Sequence, residues 1–177
     1  KAAYTAEIAD AVALLKTATR PMIIAGGGGK YSRAVEALTQ FAETHQIPVV
    51  ETIAGRANLT ATHPLNIGPI GVTGSDSANA IAEQADVILA IGTRLQDFTT
   101  GSWTAFTQNA QIIAINAARH DAMKNFSLAV VGEARVSLAE LTMAPNHTAT
   151  PKGVSGAQAE GTQTEVTVTK HVGHGRR

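Results

Sequence analysis

The sequence predicts an α/β domain: a doubly wound sheet of five or six parallel strands, sandwiched in three layers. Three observations predict it. Apolar runs such as DVILAIG (86–92) and QIIAINA (111–117) show no polar alternation, the mark of strands buried on both faces. Those runs alternate along the chain with segments whose apolar residues recur at helical spacing. The composition is 44% hydrophobic but only 4% aromatic, with 16 glycines, so small residues let helices lie close on a sheet.

Taken in order, residues 6–19 read as a helix, with Ile8, Val12 and Leu15 on one face and Thr5 as N-cap. Pro21 opens a short strand, 22–25. The tract Gly26-Gly27-Gly28-Gly29 follows, and Ser32 is placed to cap a second helix carrying Val35, Leu38 and Phe41. Pro48 opens the strand VVET. A polar, glycine-bearing connection spans 53–75. Asp76 or Ser77 is expected to cap a third helix, SANAIAEQA. Strands at 86–92, 111–117 and 128–132 complete the sheet. A last helix starts near Glu133 and carries Val136, Leu138 and Leu141. After Leu141 the chain turns rich in Thr, Gly, Pro and Ser, and residues 142–177 read as a linker or tail; only TEVTVT there alternates like a strand.

The chain has 177 residues, enough for one domain that buries roughly two-thirds of its unfolded surface. Its formal net charge is zero, so no basic face points to nucleic acid. No apolar run approaches the roughly 18 residues of a membrane span. The N-terminus lacks the apolar core of a signal peptide and has no starting Met, as expected of a processed chain or an excised fragment. There are no cysteines, which excludes disulfides, thiolate metal sites and cysteine nucleophiles and fits a cytoplasmic origin.

The glycine tract admits two readings. In parallel sheets, ligands bind beyond the carboxyl ends of strands where strand order reverses, and backbone N–H groups there can face a pyrophosphate. The same glycines also permit a sharp strand-to-helix turn. The full dinucleotide fingerprint fails, because Tyr31 stands where its third glycine belongs. The Walker pattern fails too, because Tyr31 follows Lys30. Glu51 ends the second strand, where an acid would hold a ribose or simply lie at the surface.

Arg94, in GTRLQDFTTGSW after the 86–92 strand, could fork onto a phosphate or carboxylate, or pair with Asp97 to shape its loop. GPIGVTGSDSANA (68–80) could offer N–H donors or bridge a crossover. His63 reads as a loop-structuring residue, and metal binding by His171 and His174 is not expected. No Ser–His–Asp order and no G-x-S-x-G elbow exists. No catalytic residue and no metal ligand is assigned.

Three segments occur in one order: RPMIIAGGGGKYSRAVEALTQFAETHQIPVVET, HPLNIGPIGVTGSDSANA and ADVILAIGTRLQDFTTGSW. Together they resemble the central domain of thiamine diphosphate-dependent enzymes of the acetolactate synthase group, over about residues 6–141. GTRLQDFTTGSW is most similar to the trihydroxycyclohexane-dione hydrolase branch. The resemblance implies a Rossmann-like domain, 1–141, between two partner domains that hold thiamine diphosphate and Mg²⁺ across subunits of a homo-oligomer. It also implies nucleotide-contacting positions at Gly26, Gly27, Gly28, Gly92, Thr93, Arg94 and Asn116, where some members carry FAD or ADP. Neither the G-D-G motif nor the activating glutamate domain of the thiamine site is present. Flavin-binding members have I-D-x-D where this chain has INAARHD, G-M-H-G where it has GVTG, and Gly-Asp where it has Gly132-Glu133. The implied role is a non-catalytic spacer and assembly domain. The alternative is a working FAD-, ADP- or NAD-binding module.

Overall fold

The computed structural model describes residues 1–144. Six strands, β1 (Pro21–Ala25), β2 (Val49–Glu51), β3 (Asn66–Pro69), β4 (Val87–Ile91), β5 (Gln111–Asn116) and β6 (Leu128–Val131), form one sheet in the order β3-β2-β1-β4-β5-β6. Every pairing is parallel. The order reverses between β1 and β4, which pair over their full length from Pro21–Val87 to Ala25–Ile91. This is the doubly wound, three-layer fold that the apolar runs predict.

Alternation within the buried strands sends side chains both ways. Ile23, Leu89, Ile91, Ile113 and Ile115 face a layer made by α1 (Thr5–Thr17), α3 (Val35–His45) and α7 (Ala134–Met143). Met22, Ile24, Ile88, Ala90 and Ile112 face the opposite layer. That second layer holds α4 (Asp76–Gln84) and the long connection through the single turn α5 (Asp97–Thr100). A short helix, α6 (Arg119–Ala122), joins β5 to β6.

Four local expectations are corrected. The glycine tract is itself helical for one turn, α2 (Gly27–Tyr31). Ser32 therefore closes α2, donating its hydroxyl to the Gly28 and Gly29 carbonyls (2.8 and 3.1 Å), and Ala34 occupies the N-cap of α3. At α1 the N-cap is Tyr4, whose N–H reaches the Glu7 carboxylate, and Thr5 already lies in the helix. At α4 the cap is Ser75, whose hydroxyl accepts from Ala78 N–H at 3.2 Å. Asp76 instead sits in the first turn, where its charge suits the helix dipole.

Strand β3 lies inside the 53–75 connection. Its sequence, NIGP, reads as a turn because Asn, Gly and Pro are poor strand formers. At a sheet edge the missing proline N–H costs no ladder bond. Thr142 and Met143 complete α7. Ala144 follows as its C-cap, and residues 145–177, with TEVTVT and His147, His171 and His174, lie outside the described residues. Among the described residues no helix is long and apolar enough to cross a membrane.

Candidate functional site

The carboxyl edge of β1 and β4 is the switch point where this fold can hold a ligand. Here backbone meets backbone. Gly26 N–H donates to the Ile91 carbonyl (2.8 Å), Gly28 N–H to the Gly92 carbonyl (2.9 Å) and Gly29 N–H to the Gly26 carbonyl (3.2 Å). Three of the four glycine amides are thus used inside the protein. A Cβ on Gly28 would lie 2.7 Å from Gly92 Cα, and one on Gly92 would lie 2.6 Å from Gly28 Cα. Gly92 also holds φ +58°. Glycine is required at both positions for close approach, and at Gly92 for its left-handed backbone as well.

The loop after β2 closes the other side of the tract. Thr52 N–H donates to the Ala25 carbonyl (3.0 Å). Asn58, fully buried, donates its Nδ2 to the Gly26 and Gly55 carbonyls (3.0 and 2.6 Å). Asn58 went unnoticed in the sequence because it sits in a polar stretch without period, and only its fold neighbours reveal it. Glu51 is neither a surface residue nor free for a ribose. It is 6% exposed, and its carboxylate accepts from Leu59 N–H (2.9 Å) and Ala57 N–H (3.3 Å).

The remaining expected positions lie along the same edge. Thr93 Oγ1 accepts from Leu95 N–H at 3.2 Å. Asn116 bridges two turns, donating Nδ2 to the Thr93 carbonyl (3.2 Å) and accepting from Ala118 N–H (3.1 Å). Arg94 is exposed and forms no ion pair with Asp97. It lies instead in the field of Asp121. The Lys124 ammonium, 2.9 Å away, holds the Asp121 carboxyl below its ordinary value, with smaller help from Arg94 and His120. The edge therefore brings Gly26, Gly28, Gly92, Thr93 and Asn116 into one hydrogen-bonded junction. Gly27 packs against Ala54 beside it, and Arg94 stands at its rim.

The second glycine loop bridges rather than donates outward. Gly71 exchanges two hydrogen bonds with the Asn79 side chain (3.1 Å each), and Val72 N–H donates to the Phe98 carbonyl (3.0 Å). Beside it a cleft of about 500 Å³ opens between α4 and the 101–105 segment. His63 organises its loop as expected: Nδ1 accepts from Leu65 N–H (3.2 Å), which leaves Nε2 to face Glu43 at 3.0 Å. Among the described residues no three His, Asp or Glu side chains gather as a metal site. Three of the four glycine amides that would cradle a metal-bridged diphosphate, those of Gly26, Gly28 and Gly29, already face protein carbonyls.

A six-stranded parallel sheet whose switch point brings the loops after β1 and β4 into backbone contact defines a Rossmann-like α/β domain. The chain belongs to the family described as thiamine pyrophosphate enzyme, central domain, which matches residues 8–141. It is 44% identical over 131 residues to 3D-(3,5/4)-trihydroxycyclohexane-1,2-dione hydrolase of Geobacillus thermodenitrificans, covering 74% of this chain and 20% of that protein. It is 44% identical over 137 residues to 3D-(3,5/4)-trihydroxycyclohexane-1,2-dione hydrolase 1 of Bacillus cereus, covering 77% and 21%. The chain thus spans about a fifth of the length of the curated relatives it matches. A solved structure of a candidate thiamin diphosphate-dependent enzyme from Mycobacterium smegmatis superposes with TM-score 0.69 at 23% identity, over 85% of this chain and 29% of that one. That last likeness is one of fold.

Proposed function

We propose that this chain is the non-catalytic spacer and assembly domain of a longer thiamine diphosphate- and Mg²⁺-dependent hydrolase of a cyclic dione. The observation that carries the reading is 44% identity, over three-quarters of the chain, to trihydroxycyclohexane-dione hydrolases. The closed switch point supports it. Gly26, Gly28, Gly92, Thr93 and Asn116 spend hydrogen bonds on one another and on neighbouring protein groups and serve as a weld between the loops after β1, β4 and β5. Arg94 is an exposed rim residue. FAD, ADP or NAD is not part of this proposal, since three of the four glycine amides that would receive a phosphate are engaged. The thiamine cofactor and its metal belong to the two other domains of the longer polypeptide, which acts as a homo-oligomer in the cytoplasm.

The test has two arms. Calorimetric titration of this chain with thiamine diphosphate and Mg²⁺ is expected to give no saturable heat, whereas the longer polypeptide hydrolyses the trihydroxycyclohexane-dione only with both present. Saturable micromolar binding by the chain alone overturns the reading. So does a longer polypeptide whose activity ignores thiamine diphosphate. A nucleotide at 100 times its dissociation constant would stabilise the chain by about 2.7 kcal/mol. Excess FAD, ADP or NAD is expected to leave the melting temperature unchanged.

A further inference from the structure

The four loops that leave β1, β2, β3 and β4 at the carboxyl edge each display one large apolar side chain to solvent. Tyr31 closes α2 after β1 and is 92% exposed. Ile53, two residues past β2, is 57% exposed, Val72 after β3 is 66% exposed, and Phe98 after β4 is 48% exposed. Single exposed apolar residues are ordinary, but a set gathered along one edge marks an interaction surface. The opposite edge is different. The connections entering β1, β2, β4 and β5 there are ATR, QIP, AD and TQNA and expose no large apolar side chain, while Met123 and Phe126 in the connection into β6 and Met143 at the end of α7 stand out in the solvent.

The loops that carry this edge are held in place. Val72 N–H bonds the Phe98 carbonyl (3.0 Å), so loops from β3 and β4, with two strands between them in the sheet, meet. Asn79 pins Gly71 to α4, and Glu51 and Asn58 pin the loop that begins at Ile53. Ala54, next to Ile53, packs on Gly27 of the helix that ends in Tyr31. A surface fixed in advance loses little entropy when it is covered, which suits a permanent contact. The polypeptides of this chain's relatives are about five times as long as the region matched, so most of each lies outside it.

We infer that Tyr31, Ile53, Val72 and Phe98, brought together at the carboxyl edge, form the face on which a neighbouring domain of the longer polypeptide docks through an apolar surface of its own. This rests on the reading above, that the chain is one domain of a longer enzyme. The docked domain covers the same edge whose ligand crevice the glycine junction fills. Support for the thiamine domains and closure of the crevice then occur at one place.

Hydrogen–deuterium exchange tests the docking face without relying on activity. Amides in 52–58, 70–74 and 94–99 are expected to exchange at least tenfold more slowly in the longer polypeptide than in this chain alone, with 123–127 unchanged. Within the longer polypeptide, Val72→Ser with Phe98→Ser is expected to restore fast exchange at these loops, whereas Phe126→Ser leaves them protected. Equal exchange in the two contexts overturns the inference, as does a double variant indistinguishable from Phe126→Ser. Dimerisation of this chain alone, with the same loops protected, also overturns it, because the occupant is then a second copy. If thiamine-dependent activity is present while the loops stay unprotected, the docking face falls and the functional reading stands. If activity is absent while they are protected, the reverse holds.

Discussion

The two layers on either side of the sheet are built to different standards. One is a full helical cover. α1, α3 and α7 run 13, 11 and 10 residues and bury Leu15, Leu38, Phe41, Leu138 and Leu141 against the strands. The other is thin. Its longest helix, α4, has 9 residues and buries only Ala78 and Ala82, so coil residues Ile70, Leu95 and Phe106 complete that core. The first layer uses large side chains from regular helices, while the second brings backbone close to the sheet and lets loops settle on it. Stability is therefore concentrated on the first side. The second side fixes where the carboxyl-edge loops lie.

The largest test of this contrast is truncation of one phenylalanine in each layer. Phe41→Ala, in a site closed by three helices, is expected to cost about 3–5 kcal/mol. Phe106 is 9% exposed and surrounded by coil that can settle inward, so Phe106→Ala is expected to cost about 2–3 kcal/mol. Urea midpoints at unchanged slope measure both. Equal losses would break the comparison.

The junction that fastens the thin side to the thick one comes next. Gly92→Ala forces a methyl to 2.6 Å from Gly28 Cα at φ +58° and is expected to cost about 2–4 kcal/mol. Chemical denaturation reads the loss. A neutral substitution would mean that the two loops part easily, and the crevice would then be open to a ligand.

The smallest effect is at the amino edge, where Asp86 ties the α1–β1 connection to β4. Burial pushes its carboxyl up, but hydrogen bonds from the Thr19 hydroxyl and from the Thr19, Arg20 and Val87 amides outweigh it and hold the carboxyl below its ordinary value of 3.8. A pKa depressed by folding contributes stability above the unfolded value, and that contribution is lost as pH falls through the folded one. Wild-type stability is therefore expected to decline below about pH 4. Asp86→Asn should decline less across that window, from a lower starting stability at neutral pH. Denaturation midpoints between pH 7 and pH 2 decide, and identical pH slopes would remove Asp86 from the account.

The thick layer was legible in the sequence because its signals are local. Ile8, Val12 and Leu15, or Leu38 and Phe41, repeat at helical spacing, and continuous apolar runs mark the strands between them. The thin layer was not. β3 is an edge strand spelled with turn residues, and Phe106 is buried from coil with no period to announce it. The site divides the same way. Gly26, Gly28 and Gly92 could be picked out as necessary glycines, but whether they faced a phosphate or each other depended on residues 64 positions apart. Glu51 at a strand end fitted two readings, and the structure supplied a third, a buried acceptor for loop amides. Asn58 left no signal at all.

What the sequence determined alone was the order of the four longer helices and of five of the six parallel strands, and the family, since both rest on short-range pattern and motif order. What only the tertiary structure decided was which amides remain to bind anything. A backbone N–H is spent or available according to the carbonyl brought opposite it, and the strand order β3-β2-β1-β4 sets Gly92 against Gly28.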